Sequence, residues 1–216
     1  MHSEFYLTKG HMRLKYIHLA ICCLFIHMSC GYLNIKSNTN RMNSESLIKQ
    51  GKAYWEKRAN PKSAKMAALF FEKAFELNPQ NIELTVSLSR AYYFQGYYIE
   101  IDPAKRDTLY LKGANAAITG FKNTTYFQSF ADTTSVDNSK LQISAISQAP
   151  VETIPALYWW AENIGRYLTT KPVLTRIESR EIIETAMHRI ATMDEDYYYG
   201  GPARFFGTFY SRLPGV

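Results

Sequence analysis

Four residues at fixed spacing constrain this chain more than any other feature: Ala67, Phe71, Ala74 and Pro79. Steps of four and seven residues put Ala67, Phe71 and Ala74 on one face of a helix. The two small side chains let a neighbouring helix come close, the ring fills the space beside them, and the proline ends the helix. The register continues on both sides. Thirteen residues beyond Pro79 stands Tyr92, with Gly96 and Tyr98 at the following helix-turn positions, while Gly51 and Tyr54 supply a Gly-x-x-Tyr spacing in the helix before. No alternation of strand period persists after residue 44.

This register is that of the tetratricopeptide repeat, with a turn about four residues longer than consensus between the first two helices. The expected fold class is therefore all-α: helical hairpins of degenerate tetratricopeptide-like repeats, stacked as a right-handed superhelix or bundle. Ser44 or Ser46 is available to cap a first helix, SLIKQGKAYWEKR. Asn60 and Pro61 open a second, and NIELTVSLSRAYYFQGYY is a third. DPAKRDTLYLKGANAAITGFK is a further helix with Gly113, Ala114, Ala116 and Ala117 on its packing side. Residues 122–150 read as irregular, with a short helix near SKLQISAIS, before VETIPALYWWAENIGRYL and LTRIESREIIETAMHRIATMDEDY. Gly207 and Tyr210 repeat the Gly-x-x-Tyr spacing near residue 216, so the last repeat is expected to be incomplete, with Phe205, Phe206 and Phe209 left uncovered.

The first thirty residues differ from the rest. All three cysteines (Cys22, Cys23, Cys30) lie there, as do four of the five histidines, so the body can hold neither a disulfide framework nor a thiolate metal site. Arg13 and Lys15 precede a short apolar run ending Ser29-Cys30-Gly31, the order of a secretory signal. A break just before a cysteine resembles a bacterial lipobox, although His27 stands where leucine is usual. The expected organisation is a signal peptide over 1–29, a lipidated Cys30 with an Asn/Ser-rich tether over 30–45, and a helical domain over 46–216. Met1 and Met12 are both possible starts. The net charge of +6, from 25 Lys+Arg against 19 Asp+Glu, is spread without a basic cluster, which argues against nucleic acid as a partner.

Catalytic chemistry finds few groups. His188 is the one body histidine, mid-helix beside Arg189, without partners for a triad or metal site. Asp194-Glu195-Asp196 is placed to start a helix, and Gly200-Gly201-Pro202 to bend the chain into it. The candidate ligand contacts are Tyr158, Trp159, Trp160 and Arg166. Successive rings on a helix point about 100° apart, so at most two of the three line one cavity. Arg166, one and a half to two turns on, is suited to a ligand carboxylate. No cofactor, metal or catalytic residue is expected, and the protein reads as a non-enzyme.

LYLKGANAAITG, LYWWAENIGRYL and RIATMDEDYYYGGPARFFGTFYSRLPG together resemble the T-component lipoproteins associated with tripartite ATP-independent periplasmic (TRAP) transporters. Leu157-Tyr158-Trp159, Met193-Asp194-Glu195, Tyr197, Gly200-Gly201, Gly207, Tyr210 and Pro214-Gly215 fill the family's pattern, which continues past residue 216. The resemblance implies a periplasmic lipoprotein anchored to a membrane of a Gram-negative-type bacterium. It implies a homotrimer that docks the transporter's substrate-binding P-component, with an apolar, aromatic tunnel for a small hydrophobic ligand or organic acid. The alternative is a generic repeat scaffold for other periplasmic proteins.

Overall fold

Side-chain caps set the helix boundaries. In the computed structural model, which describes residues 39–211, Asn60 Oδ1 accepts from the amides of Lys62 and Ser63 (2.9 and 3.3 Å) and opens α2, Pro61–Leu77. Asn81 Oδ1 accepts from Leu84 N at 3.0 Å to open α3, Ile82–Tyr98. Asp102 does the same for α4, Pro103–Lys122, by accepting from Ala104 and Lys105. Proline follows the cap in α2 and α4, where its missing N–H has no helical partner to lose. Each cap contributes on the order of 1 kcal/mol.

The chain divides into two compact units, Met1–Asn43 and Ser44–Val216. The signal segment and Cys30 lie outside the described residues. In the larger unit, residues 44–55 form α1. After α4 come α5 (Thr125–Thr133), α6 (Asn138–Ser147), a single 3₁₀ turn (Val151–Thr153), α7 (Ile154–Leu168), α8 (Val173–Glu178), α9 (Arg180–Met193) and α10 (Tyr197–Tyr210). Among the described residues there is no strand, and the fold is all-α, arranged as helical hairpins. The segment over 122–150 is more regular than its Thr/Ser-rich composition implies, because Thr124 caps α5 through Phe127 N at 3.1 Å and Phe127 enters the core.

α3 packs on α2 and α4, α4 on α7, and α7 on α9. Small residues set the spacing. Ala67 and Ala74 are fully buried beside Phe71, and a Cβ on Gly51 of α1 would fall 2.6 Å from the Phe71 ring. On α4, Gly113 lies against Asn163 and Gly120 against Thr85, so that a side chain at either would overlap its neighbour. Asn163 is fully buried and ties α7 to α3: its Nδ2 donates to Ser89 O (3.3 Å), Ser89 Oγ (3.0 Å) and Trp159 O (2.8 Å).

Three expectations need correction. The tether does not run to residue 45, since residues 39–45 are already helical. Ser44 is no cap but a buried helix residue whose Oγ donates to Ala74 O at 3.1 Å, a docking contact that a cap-type residue makes equally well. Phe205, Phe206 and Phe209 are not left uncovered either. Phe205 is buried against Gly165, and the other two pack on the core from α10.

Candidate ligand-binding site

Helical spacing builds one wall of a cavity from α3. Arg90, Tyr93, Phe94 and Tyr97 follow one another at i, i+3, i+4 and i+7 and all border it. α7 supplies the facing wall in the same way, with Trp159, Glu162 and Arg166 at i, i+3 and i+7 and Tyr158 one position earlier. Trp55 and Arg58 close it from the end of α1, and Tyr198, Arg204 and Phe205 from α10. The space enclosed is about 480 Å³, the size of a small-molecule site.

α10 reaches the cavity by an unusual backbone. Tyr198, Tyr199 and Gly200 are all left-handed, at φ 51°, 62° and 68°. For glycine this is free. For each tyrosine it costs roughly 1–2 kcal/mol. Arg204 fastens the turn by donating to the carbonyls of Tyr198 (Nη2, 2.9 Å) and Tyr199 (Nη1). The turn lays the Tyr198 ring between Tyr158 (5.5 Å) and Trp159 (5.1 Å). The next residue, Gly201, passes so close to Tyr158 that a Cβ would sit 2.6 Å from its ring.

Four arginines on this lining, Arg58, Arg90, Arg166 and Arg204, rest on neutral partners. Arg90 lies over Trp55, Trp159 and Tyr198 at 5.2, 5.7 and 5.4 Å from the ring centres, and donates to Tyr198 Oη at 3.1 Å. Arg166 lies over Tyr97 at 4.5 Å and donates from Nε to Tyr93 Oη at 3.3 Å. Arg58 lies over Trp55 at 4.8 Å and donates to its carbonyl. Among the described residues, none of Arg58, Arg90, Arg166 and Arg204 has a carboxylate within 4.0 Å. Stacking satisfies the guanidinium faces and leaves N–H edges for an anion.

Among the described residues, Glu162 is the one carboxylate on this lining. Its Oε1 accepts from Tyr158 Oη at 3.1 Å. Burial pushes its pKa above the usual carboxylate range, against the opposing pull of Tyr158, Arg166 and Tyr93. Burial, and then the negative charge of Glu162, push the Tyr158 and Tyr93 phenols well above their ordinary value, so both remain protonated donors.

Of the residues singled out in the sequence, Tyr158, Trp159 and Arg166 come together on this lining. Trp160 does not; it is buried in the core. Sequence reasoning missed Arg90, Tyr93 and Tyr97, whose shared face was legible as an aromatic stripe with an arginine in it. It missed Glu162, which stands one turn after Tyr158. It had no means to find Tyr198, which faces the cavity only because of the left-handed turn. His188 is exposed on α9 and stacks on Phe206 at 4.5 Å, away from this cavity.

No curated protein matches the chain. A family model described as TRAP transporter T-component matches residues 70–216, a span holding α3, α7, α10 and most of the cavity wall, and the chain belongs to that family.

Proposed function

We propose that this protein is a non-enzymatic binding component whose cavity holds a small organic acid with an apolar or aromatic body. Membership of the family implies a periplasmic, membrane-associated protein that works with a TRAP transporter. The observation that carries the ligand reading is the set of guanidiniums of Arg58, Arg90 and Arg166, stacked on rings, with Arg204 held by backbone carbonyls beside them, around one aromatic cavity and, among the described residues, without a carboxylate within 4.0 Å. Such a cavity favours an apolar body by burial and an anion by charge-assisted hydrogen bonds. Calorimetric titration with indolepropionate and its neutral amide tests it. The acid is expected to bind at least about tenfold more tightly, and Arg166→Ala to remove most of that difference. Equal affinity of acid and amide would refute an anion site.

In the same reading Cys30 carries the lipid anchor, a homotrimer forms, and the P-component docks on it. Palmitate labelling of the wild type that persists in Cys30→Ala would remove the anchor. Failure of a purified P-component to co-elute with the full chain would remove the docking.

A further inference from the structure

Glu162 is out of place in a cavity that serves only anions. A carboxylate among arginines lowers the field that attracts an acid, and a buried one is costly to keep without partners. It forms no direct ion pair within 4.0 Å among the described residues, although Arg166 and Arg204 lie near enough to favour its charge. Its nearest partners are phenols. Tyr158 donates to Oε1 at 3.1 Å, and Tyr93, whose oxygen accepts from Arg166 Nε, stands near enough to feel the same carboxylate's charge. An ionised carboxylate offers about four acceptor positions. The one phenol that donates to it leaves about three, on a side chain that borders the cavity. The rings around it, Tyr93, Tyr158 and Trp159, stand edge to face at 5.5 and 5.3 Å, an arrangement that suits a polar hydrogen or a cation beside their faces.

We propose that Glu162 reads a hydrogen-bond donor on the ligand, so that the cavity takes a bifunctional acid: an apolar or aromatic body, a carboxylate for the arginines, and a hydroxyl or protonated amine for Glu162. This rests on the anion reading above and narrows it. A plain acid leaves the free acceptor positions of Glu162 unmet and brings a like charge near it, whereas a donor-bearing acid meets both demands at once. Discrimination of this kind is strong, because the penalty of the missing donor falls on a half-buried group that water reaches poorly.

Three acids of one skeleton separate the possibilities: indolepropionate with no donor beside the carboxylate, indolelactate with a hydroxyl, and tryptophan with an ammonium. Each is titrated calorimetrically into the full chain, into Glu162→Leu and into Glu162→Gln, the last as the variant that keeps shape and fold. On the wild type, at least one donor-bearing acid is expected to exceed indolepropionate by about tenfold or more. That advantage falls to within about threefold on Glu162→Leu, where indolepropionate itself binds as well or better. An advantage of indolelactate that survives Glu162→Gln assigns the hydroxyl, and an advantage of tryptophan that Glu162→Gln abolishes assigns the ammonium. Indolepropionate binding as tightly as both others overturns the donor reading and leaves the anion site standing. Absence of binding by all three overturns both.

Discussion

The α2–α3 hairpin and the α3–α7–α10 cavity meet their neighbours in opposite ways. In the hairpin, Ala67, Ala74 and Ala91 bring backbones together until Phe71 fills what remains, and the contact closes without residue. Around the cavity the contacts are rings: Tyr93 on Trp159 at 5.5 Å, Tyr158 on Tyr197 at 5.2 Å, Tyr198 on Trp159 at 5.1 Å. Rings meeting edge to face hold helices further apart than alanines do, and their guanidinium partners cannot fill a dry void. α3 belongs to both regions. Its Leu88, Ala91 and Tyr92 face the tight side, and its Arg90, Tyr93 and Tyr97 face the open one. A single helix thus converts a rigid hairpin into the wall of a binding site, which is how a site gains a fixed geometry without its own rigid core.

Truncating a ring in each region breaks or sharpens this contrast most. Phe71→Ala removes a ring enclosed on all sides, and a loss of about 3–5 kcal/mol is expected in urea unfolding. Tyr93→Ala removes a ring that borders existing space, and the loss is expected to be at least about 1 kcal/mol smaller. Equal losses would mean that the cavity side is as tightly packed as the hairpin. The opposite change in volume comes next. Ala67→Leu pushes three further heavy atoms into a site with no exposure at all, at an expected cost of about 1–3 kcal/mol. A neutral melting result would show that α1 and α3 can move away from α2, contrary to close packing there.

These differences follow what was legible in the sequence. The hairpin was readable because small residues and a ring at steps of four and three state the contact directly, whichever helix comes to meet them. The all-α class followed from the same spacing. The cavity was half readable. One helix fixes the directions of Tyr158, Trp159 and Trp160 relative to each other, but which two face a ligand depends on where α3 and α9 lie. Glu162 reads as an ordinary helix surface residue until Tyr93 is placed opposite. The YYYGG stretch hides most, since a bend was expected at Gly200 and Gly201 whereas the left-handed turn begins two tyrosines earlier. Local preference disfavours that conformation for tyrosine, and the tertiary contacts of Tyr198 and Arg204 override it.

That override has a measurable cost. Tyr199 is left-handed at φ 62° and its side chain is 90% exposed, so it makes little return contact for its backbone. Tyr199→Gly relieves the strain and loses some of the gain to the greater freedom of glycine in the unfolded chain. A net stabilisation of about 1 kcal/mol or less is expected in thermal melting. Tyr198→Gly, by contrast, should destabilise the chain, because it gives up the ring packing and the contact with Arg90. The same sign for both would show that the turn is not held by Tyr198.

The smallest effect expected is a pH dependence confined to the open side. Glu162 has a folded pKa above its unfolded value, chiefly through burial. The folded protein therefore keeps this proton to a higher pH than the unfolded chain does, and in that window unfolding releases a proton. The stability tied to this proton is fully present below the unfolded value of about 4.3 and is lost as pH rises through the folded one. The groups facing Glu162 are Tyr158 and Arg166 on its own helix, Tyr93 on α3 and Arg204 on α10. The two phenols and the Arg166 guanidinium are all pushed upward, so none of these three titrates in the same window. Glu162→Gln removes the group, and its stability relative to wild type should rise as pH increases from about 4 toward 7. The slope cannot exceed about 1.4 kcal/mol per pH unit, the limit for one proton. Urea midpoints across that range, taken in the ligand-free protein, read it directly. A relative stability that stays flat or falls would place Glu162 in contact with enough water or positive charge to ionise freely. The open side would then be no costlier for a carboxylate than the surface.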